Sequence, residues 1–159
     1  MRWGLTKLPE TLANTSSAVG RGLLSGLIGT VAMTVSSTLE AKLRGRGGSS
    51  SPADAAGTVL GVRPRDSTGE QRFSTAVHWG YGTSWGAVRG LLGAAGLCGP
   101  AAAATHLALV WGGEQVALPA TGTSPPAWRW GVTEVAVDLW HHTVYACATG
   151  LAYEWLDRR

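Results

Sequence analysis

The chain has 159 residues, of which 14% are charged, and a formal net charge of +3. That length suits one domain with a modest core, and the charged fraction lies well below the roughly 25% of ordinary soluble proteins. The basic residues are scattered arginines with no clustered basic face and no interleaved aromatic platform, a pattern that argues against nucleic-acid binding.

Long stretches of the chain carry no charge. Asp, Glu, Lys and Arg are absent between Arg21 and Glu40, between Arg72 and Arg89, and between Arg89 and Glu114. These gaps approach or exceed the about 20 residues that a membrane-spanning helix needs. The mean hydropathy of +0.08 favours the alternative, a soluble helical bundle rich in Ala and Gly. Such a bundle should show a polar face on every surface helix, so the charge-free gaps favour a membrane protein.

We therefore predict an all-α integral membrane protein with one membrane domain over residues 1–159. Four transmembrane helices would form an antiparallel bundle, joined by loops at 44–72 and 118–130. Within the first loop, Ser51-Pro52 resembles a helix cap with a first-turn proline and predicts a short interfacial helix at about 52–60. The predicted spans are residues 17–43, 73–97, 100–117 and 131–156.

Glycines mark the faces on which these spans should pack. Gly22 and Gly26 in the first span, and Gly82, Gly86 and Gly90 in the second, lie four residues apart. Small residues at this spacing let two helices approach closely in lipid. The contact would form either within the bundle or between two subunits of a homodimer.

The residues between the second and third spans predict a hairpin. Cys98-Gly99-Pro100 reads as a tight turn, because Gly ends one helix and Pro begins the next. Cys98 and Cys147 lack CxxC spacing, so we interpret both as small buried hydrophobic residues. With four spans, Trp111 falls at one membrane interface, as part of an aromatic belt.

The fourth span carries a polar stripe on an otherwise apolar sequence. Glu134, Asp138, His141 or His142, and Tyr145 recur at helical spacing, so they share one face. The helical rise places several ionisable groups about 8 to 15 Å below the same interface. We predict that this layer is a polar intramembrane cluster of His78, Glu114, Asp138, His141 and His142. A second, deeper polar layer would hold Arg89, His106 and Tyr145.

Three interpretations of the cluster compete. Ionisable groups inside membrane spans usually face the bundle interior and serve function, and His titrates near neutral pH. The first interpretation is therefore a path or site for a proton, a cation or a small solute. The second is a haem or metal site, because Asp138 with His141 or His142 has ligand spacing and His78 with His141 is the fair pair for a haem. The third is structural, with each group satisfied by neighbouring protein or by a partner membrane subunit.

Three segments resemble the YagU-like group of small bacterial inner-membrane proteins. They are GLLSGLIGTVAMT in the first span, FSTAVHWGYGTSWGAVRG in the second and DLWHHTVYACATG in the fourth. The resemblance covers roughly residues 18–155. It implies a multi-pass location in the bacterial inner (plasma) membrane, and it brings no catalytic motif with it.

The leading hypothesis is a non-enzymatic membrane protein that transports or senses a proton, a cation or a small solute, with no catalytic residue and no bound cofactor. The alternatives are a membrane oxidoreductase that binds haem or metal through the same histidines, and a structural or partner-binding subunit. The expected surroundings are the lipid bilayer and either a second copy of the chain or another membrane subunit.

Overall fold

The computed structural model describes residues 7–47 and 50–158, with the side chains of the first helix described from Glu10 onward. Within these ranges the chain is helical and has no strand, so the prediction of an all-α protein is confirmed. A 3₁₀ turn precedes the last helix. The helices are α1 (Lys7–Arg44), α2 (Ser51–Leu60), α3 (Ser67–Ala94), α4 (Gly99–Ala120) and α5 (Val132–Asp157), and the turn is Ala127–Arg129.

Local capping extends two helices beyond the predicted spans. Pro9 lies in the first turn of α1, where its missing N–H is tolerated, so the helix begins earlier than the charge pattern indicates. The Asp66 carboxylate accepts a hydrogen bond from the backbone N–H of Gly69 at 2.7 Å and caps α3. The predicted short helix is present as α2, with Pro52 in its first turn.

α1 is the central helix, and it runs antiparallel to both α3 and α5. Its contact with α3 is made by backbone against backbone. A Cβ added to Gly26 would lie 2.7 Å from the Cα of Gly86, and one added to Gly90 would lie 3.0 Å from the Cα of Val19. The glycines predicted to pack helices thus meet inside one chain, with Gly22 and Gly26 against Gly86 and Gly90, and with Gly82 against Thr30.

The turn between α3 and α4 depends on left-handed backbone at Gly96 and Gly99, whose φ angles are +88° and +59°. The prediction that both cysteines are buried is wrong, because Cys98 and Cys147 are exposed. Cys98 lies in this turn, and Cys147 lies on the outer face of α5, so neither side chain reaches the interior.

Many large apolar side chains of this protein are exposed, and several polar side chains are buried beside a small apolar core. Large apolar side chains cover the outside of α1, and Leu24 and Leu39 are each 57% exposed. The buried polar and charged side chains are Ser25, Thr30, Arg89, His106, His141, His142 and Thr149. Among the described helices, α1 from Glu10 to Arg44 is the one that is long and apolar enough to cross a membrane, and only 28% of its most apolar window is buried.

The α1–α3 contact predicts opposite effects of one substitution at two positions of α3. Gly86→Ala places a methyl group against the backbone of α1 and should destabilise the protein by about 1–3 kcal/mol. Gly80 has no heavy atom within 4 Å of an added Cβ, so Gly80→Ala should stabilise it by about 0.5–1 kcal/mol. Unfolding of both variants in mild detergent tests this, and equal effects at the two positions would contradict the close contact.

Candidate functional site

The long helices and α2 line a partly open cavity of about 1000 Å³. It extends from the C-terminal end of α1, where α2 covers it, to the level of Thr30, Gly82 and Tyr145 near the middle of the helices. Its walls are mostly apolar, and its polar groups come from all five helices and from the segment between α4 and α5. All five side chains of the predicted cluster line it, namely His78, Glu114, Asp138, His141 and His142, and Tyr145 lines it as well.

The most concentrated group of charges in the cavity joins α4 to α5. Nε2 of His142 lies 3.0 Å from Oε2 of Glu114, and its Nδ1 lies 2.9 Å from the backbone oxygen of Asp138. The Asp138 carboxylate accepts a hydrogen bond from the indole N–H of Trp111 at 2.8 Å. The His142 side chain is only 10% exposed, so these contacts replace its hydration. We refer to Glu114, Asp138 and His142 as the acidic triad.

His141 points to α1 instead. Its Nδ1 lies 2.9 Å from the hydroxyl of Ser36, and its Nε2 lies 3.6 Å from Oε2 of Glu40. Glu40 in turn forms ion pairs with Arg44 and Arg46. This network closes the rim of the cavity near α2 and links one histidine to several charges.

His78 makes a third, separate contact on the cavity wall. Its Nε2 lies 2.7 Å from Oγ1 of Thr34, and the Thr34 hydroxyl donates to the backbone oxygen of Thr30 at 2.7 Å. Because that hydroxyl proton is already used, Nε2 of His78 is the donor to Thr34. The Nδ1 atom of His78 is then left with a lone pair.

The second predicted layer divides into two parts. The Tyr145 hydroxyl donates to the backbone oxygen of Gly82 at 2.6 Å, and its ring lies 5.6 Å from that of His106. Nε2 of His106 lies 3.0 Å from the backbone oxygen of Trp85, which can only accept, so Nε2 carries the proton. This pair closes the inner end of the cavity.

Arg89 lies apart from that pair. Its side chain is 1% exposed, with Nη2 3.6 Å from Glu154 and its guanidinium carbon 4.4 Å from the centre of the Tyr153 ring. Glu154 also accepts the backbone N–H of Gly99 at 2.8 Å. Arg89 does not line the cavity and serves to join α3 to α5.

Sequence reasoning missed several partners of the predicted residues. The sequence predicts Trp111 at a membrane interface and assigns no partner to Ser36, Glu40 or Glu154. Ser36 and Glu40 lie four residues apart on α1 and therefore share one face. This spacing could have predicted that both contact the same partner. Nothing local marks Trp111 as a hydrogen-bond donor, because the position of Asp138 opposite it depends on how α4 packs against α5.

The arrangement can exchange protons and can attract cations. Its three imidazoles are in contact with hydroxyls or carboxylates. The charged residues that line the cavity are Glu114, Glu134, Asp138, Lys42 and Arg46, and the remaining walls are largely apolar. Opposite charge in a poorly hydrated site interacts more strongly than in water. His78 and His141 are the pair predicted for a haem. One ring nitrogen of each is already hydrogen-bonded to a hydroxyl of α1.

Comparison with known proteins adds no assignment, since no protein-family model, no curated protein and no solved structure matches the chain.

The contact between α1 and α3 at His78 predicts a measurable stability difference. Thr34→Val keeps the side-chain shape but removes the hydroxyl that accepts from His78, and it should cost about 1–2 kcal/mol. Thr75→Val on α3 is the matched control, since Thr75 is exposed and its hydroxyl bonds only to the carbonyl of Gln71 on its own helix. If unfolding in detergent is equally affected by both substitutions, the His78 contact contributes nothing.

Proposed function

We propose that this chain is a multi-pass protein of the bacterial inner membrane whose cavity admits a cation or a small solute with positive charge, for transport or sensing. In this proposal α1, α3, α4 and α5 are the four spans of an antiparallel bundle, and α2 lies at the interface. The observation that carries it is that all five predicted polar side chains line one cavity of about 1000 Å³.

The membrane part of the proposal is supported by the exposed apolar side chains of α1 and by the buried polar side chains. Apolar side chains that face outward would be exposed to water in a soluble protein, at a free-energy cost proportional to their area. In a membrane the same side chains would contact the hydrocarbon chains of the lipids. Buried Thr30 and Arg89 suit the same setting, because polar side chains in membranes face the bundle interior. The four long helices have 38, 28, 22 and 26 residues, and each is long enough to span.

The cationic part is supported by the charges that face the cavity. Glu114 and Asp138 share the single imidazole of His142. At the rim, Arg46 is paired with Glu40, Glu134 is paired with Arg44, and Lys42 adds one positive charge. Negative charge is therefore in excess only on the inner wall, where a positively charged solute would balance it.

Membrane insertion predicts the behaviour of the chain on alkaline extraction. After expression in bacteria, washing the membrane fraction with carbonate at high pH should leave the full-length chain in the pellet, because its outward apolar surface holds it in lipid. A peripheral protein carried through the same procedure is the control. Release of the chain into the supernatant would contradict the membrane assignment.

Access to the cavity can be tested by thiol labelling after Cys98→Ser and Cys147→Ser remove both exposed thiols. Ala117→Cys places a thiol on the cavity lining one helical turn from Glu114, and Val116→Cys places one on the outer face, 70% exposed, at nearly the same depth. In membrane fragments open on both sides, a cationic methanethiosulfonate should modify the Ala117→Cys variant about tenfold faster than an anionic one, by electrostatic focusing.

The Val116→Cys variant should react slowly with both reagents, because its thiol faces lipid. Adding Glu114→Gln to the Ala117→Cys variant should reduce the preference for the cationic reagent. Equal rates with the two reagents at position 117, or equal reactivity at positions 116 and 117, would contradict a cation-admitting cavity.

A further inference from the structure

The protonation of His142 poses a specific problem in the acidic triad. Its Nδ1 lies 2.9 Å from a backbone oxygen of Asp138, and a carbonyl oxygen only accepts, so Nδ1 carries a proton. In the neutral ring Nε2 then has a lone pair, which points at Oε2 of Glu114 only 3.0 Å away. Two lone pairs at this distance require a shared proton, held by the ring or by the Glu114 carboxyl, or a metal ion between them.

The charge balance favours a metal ion. With one proton shared by His142 and Glu114, the triad would keep a net charge of −1 in a largely buried site. With a neutral His142, the carboxylates of Glu114 and Asp138 carry two negative charges, which one divalent ion neutralises. Uncompensated charge away from water is costly, so the divalent ion gives the better balance.

The geometry also suits a metal ion. One ligand atom from each residue of the triad lies within 4.8 Å of those of the other two. An ion about 2.1 Å from both Nε2 of His142 and Oε2 of Glu114 would hold these atoms, 3.0 Å apart, at an angle of about 90°, as in octahedral coordination.

Hydrogen bonds around the triad orient its ligands in the manner of known metal sites. The other ring nitrogen of a metal-bound histidine usually donates to a carbonyl or a carboxylate, as Nδ1 of His142 does. Trp111 donates to Oδ2 of Asp138, and the other carboxylate oxygen, Oδ1, lies 3.5 Å from Nδ1 of His142. All three ligand residues line the cavity, so the remaining coordination positions face space that water or a solute could occupy.

We infer that Glu114, Asp138 and His142 bind one divalent first-row transition-metal ion on the cavity wall, with Trp111 as a positioning residue. Imidazole favours this class of ion over Mg²⁺ and Ca²⁺, and the two carboxylates extend the range to Mn²⁺. This inference deepens the proposed function, on which it rests for access to the site, by naming the class of cation.

The direct test is a titration of the full chain, purified in mild detergent and stripped with a chelator, with Mn²⁺ alone. The electron paramagnetic resonance signal of free Mn²⁺ disappears on binding and should report one ion per chain. Zn²⁺ should displace the Mn²⁺, because nitrogen and oxygen sites generally bind Zn²⁺ more tightly, whereas excess Mg²⁺ should not.

Variants locate the ion. Asp138→Asn and Glu114→Gln should each weaken Mn²⁺ binding by at least about tenfold, and Trp111→Phe, which keeps every ligand, should weaken it by about tenfold. Thr38→Val is the matched control, since Thr38 lines the same cavity but lies outside the triad, and it should leave the affinity unchanged. Circular dichroism should first show which variants keep the helix content of the natural chain, and only these are compared. If the ligand variants fail to fold, Trp111→Phe provides the test.

Absence of saturable Mn²⁺ binding below a Kd of about 1 mM, or equal weakening by Thr38→Val, would overturn the metal site. The thiol-labelling experiment, run on metal-free protein, separates this outcome from failure of the proposed function. If labelling prefers the cationic reagent but Mn²⁺ does not bind, the cavity function stands and the metal site is wrong. If Mn²⁺ binds but labelling shows no preference, the metal site stands and cation access through the cavity is wrong.

Discussion

The architecture depends on the backbone contact between α1 and α3. Because Gly26 and Gly86 have no side chain, the two helices approach until a single added Cβ would meet backbone atoms. This approach brings Thr34 of α1 to His78 of α3. α4 has no glycine contact of this kind with α1. The cavity occupies the space between the closely packed α1 and α3 on one side and α4 and α5 on the other.

Polar contacts, rather than closely packed glycines, join α4 to α5. Between α4 and α5, the described contacts include His142 with Glu114, Trp111 with Asp138 and the Gly99 amide with Glu154. Hydrogen bonds to charged groups contribute more than neutral ones, and they keep their strength where water is scarce. One half of the structure thus depends on close backbone packing, and the other half on directed electrostatic contacts that also line the cavity.

Much of this could be predicted from the sequence. The helices follow from the apolar stretches and their caps, and the convergence of His78, Glu114, Asp138 and the two adjacent histidines follows from equal depth along helices. Their partners could not be predicted, because pairing depends on the rotation of each helix about its axis. Periodicity shows that His141 and His142 point about 100° apart, but not that the first meets α1 and the second α4. Tertiary packing alone brings Trp111 to Asp138.

The divergence of these two histidines has a mechanical consequence for α5. His141 is bonded to Ser36 on one side, and His142 contacts Glu114 on the other. Turning α5 about its long axis would move both side chains away from their partners, so contacts with two different helices fix the angular position of α5.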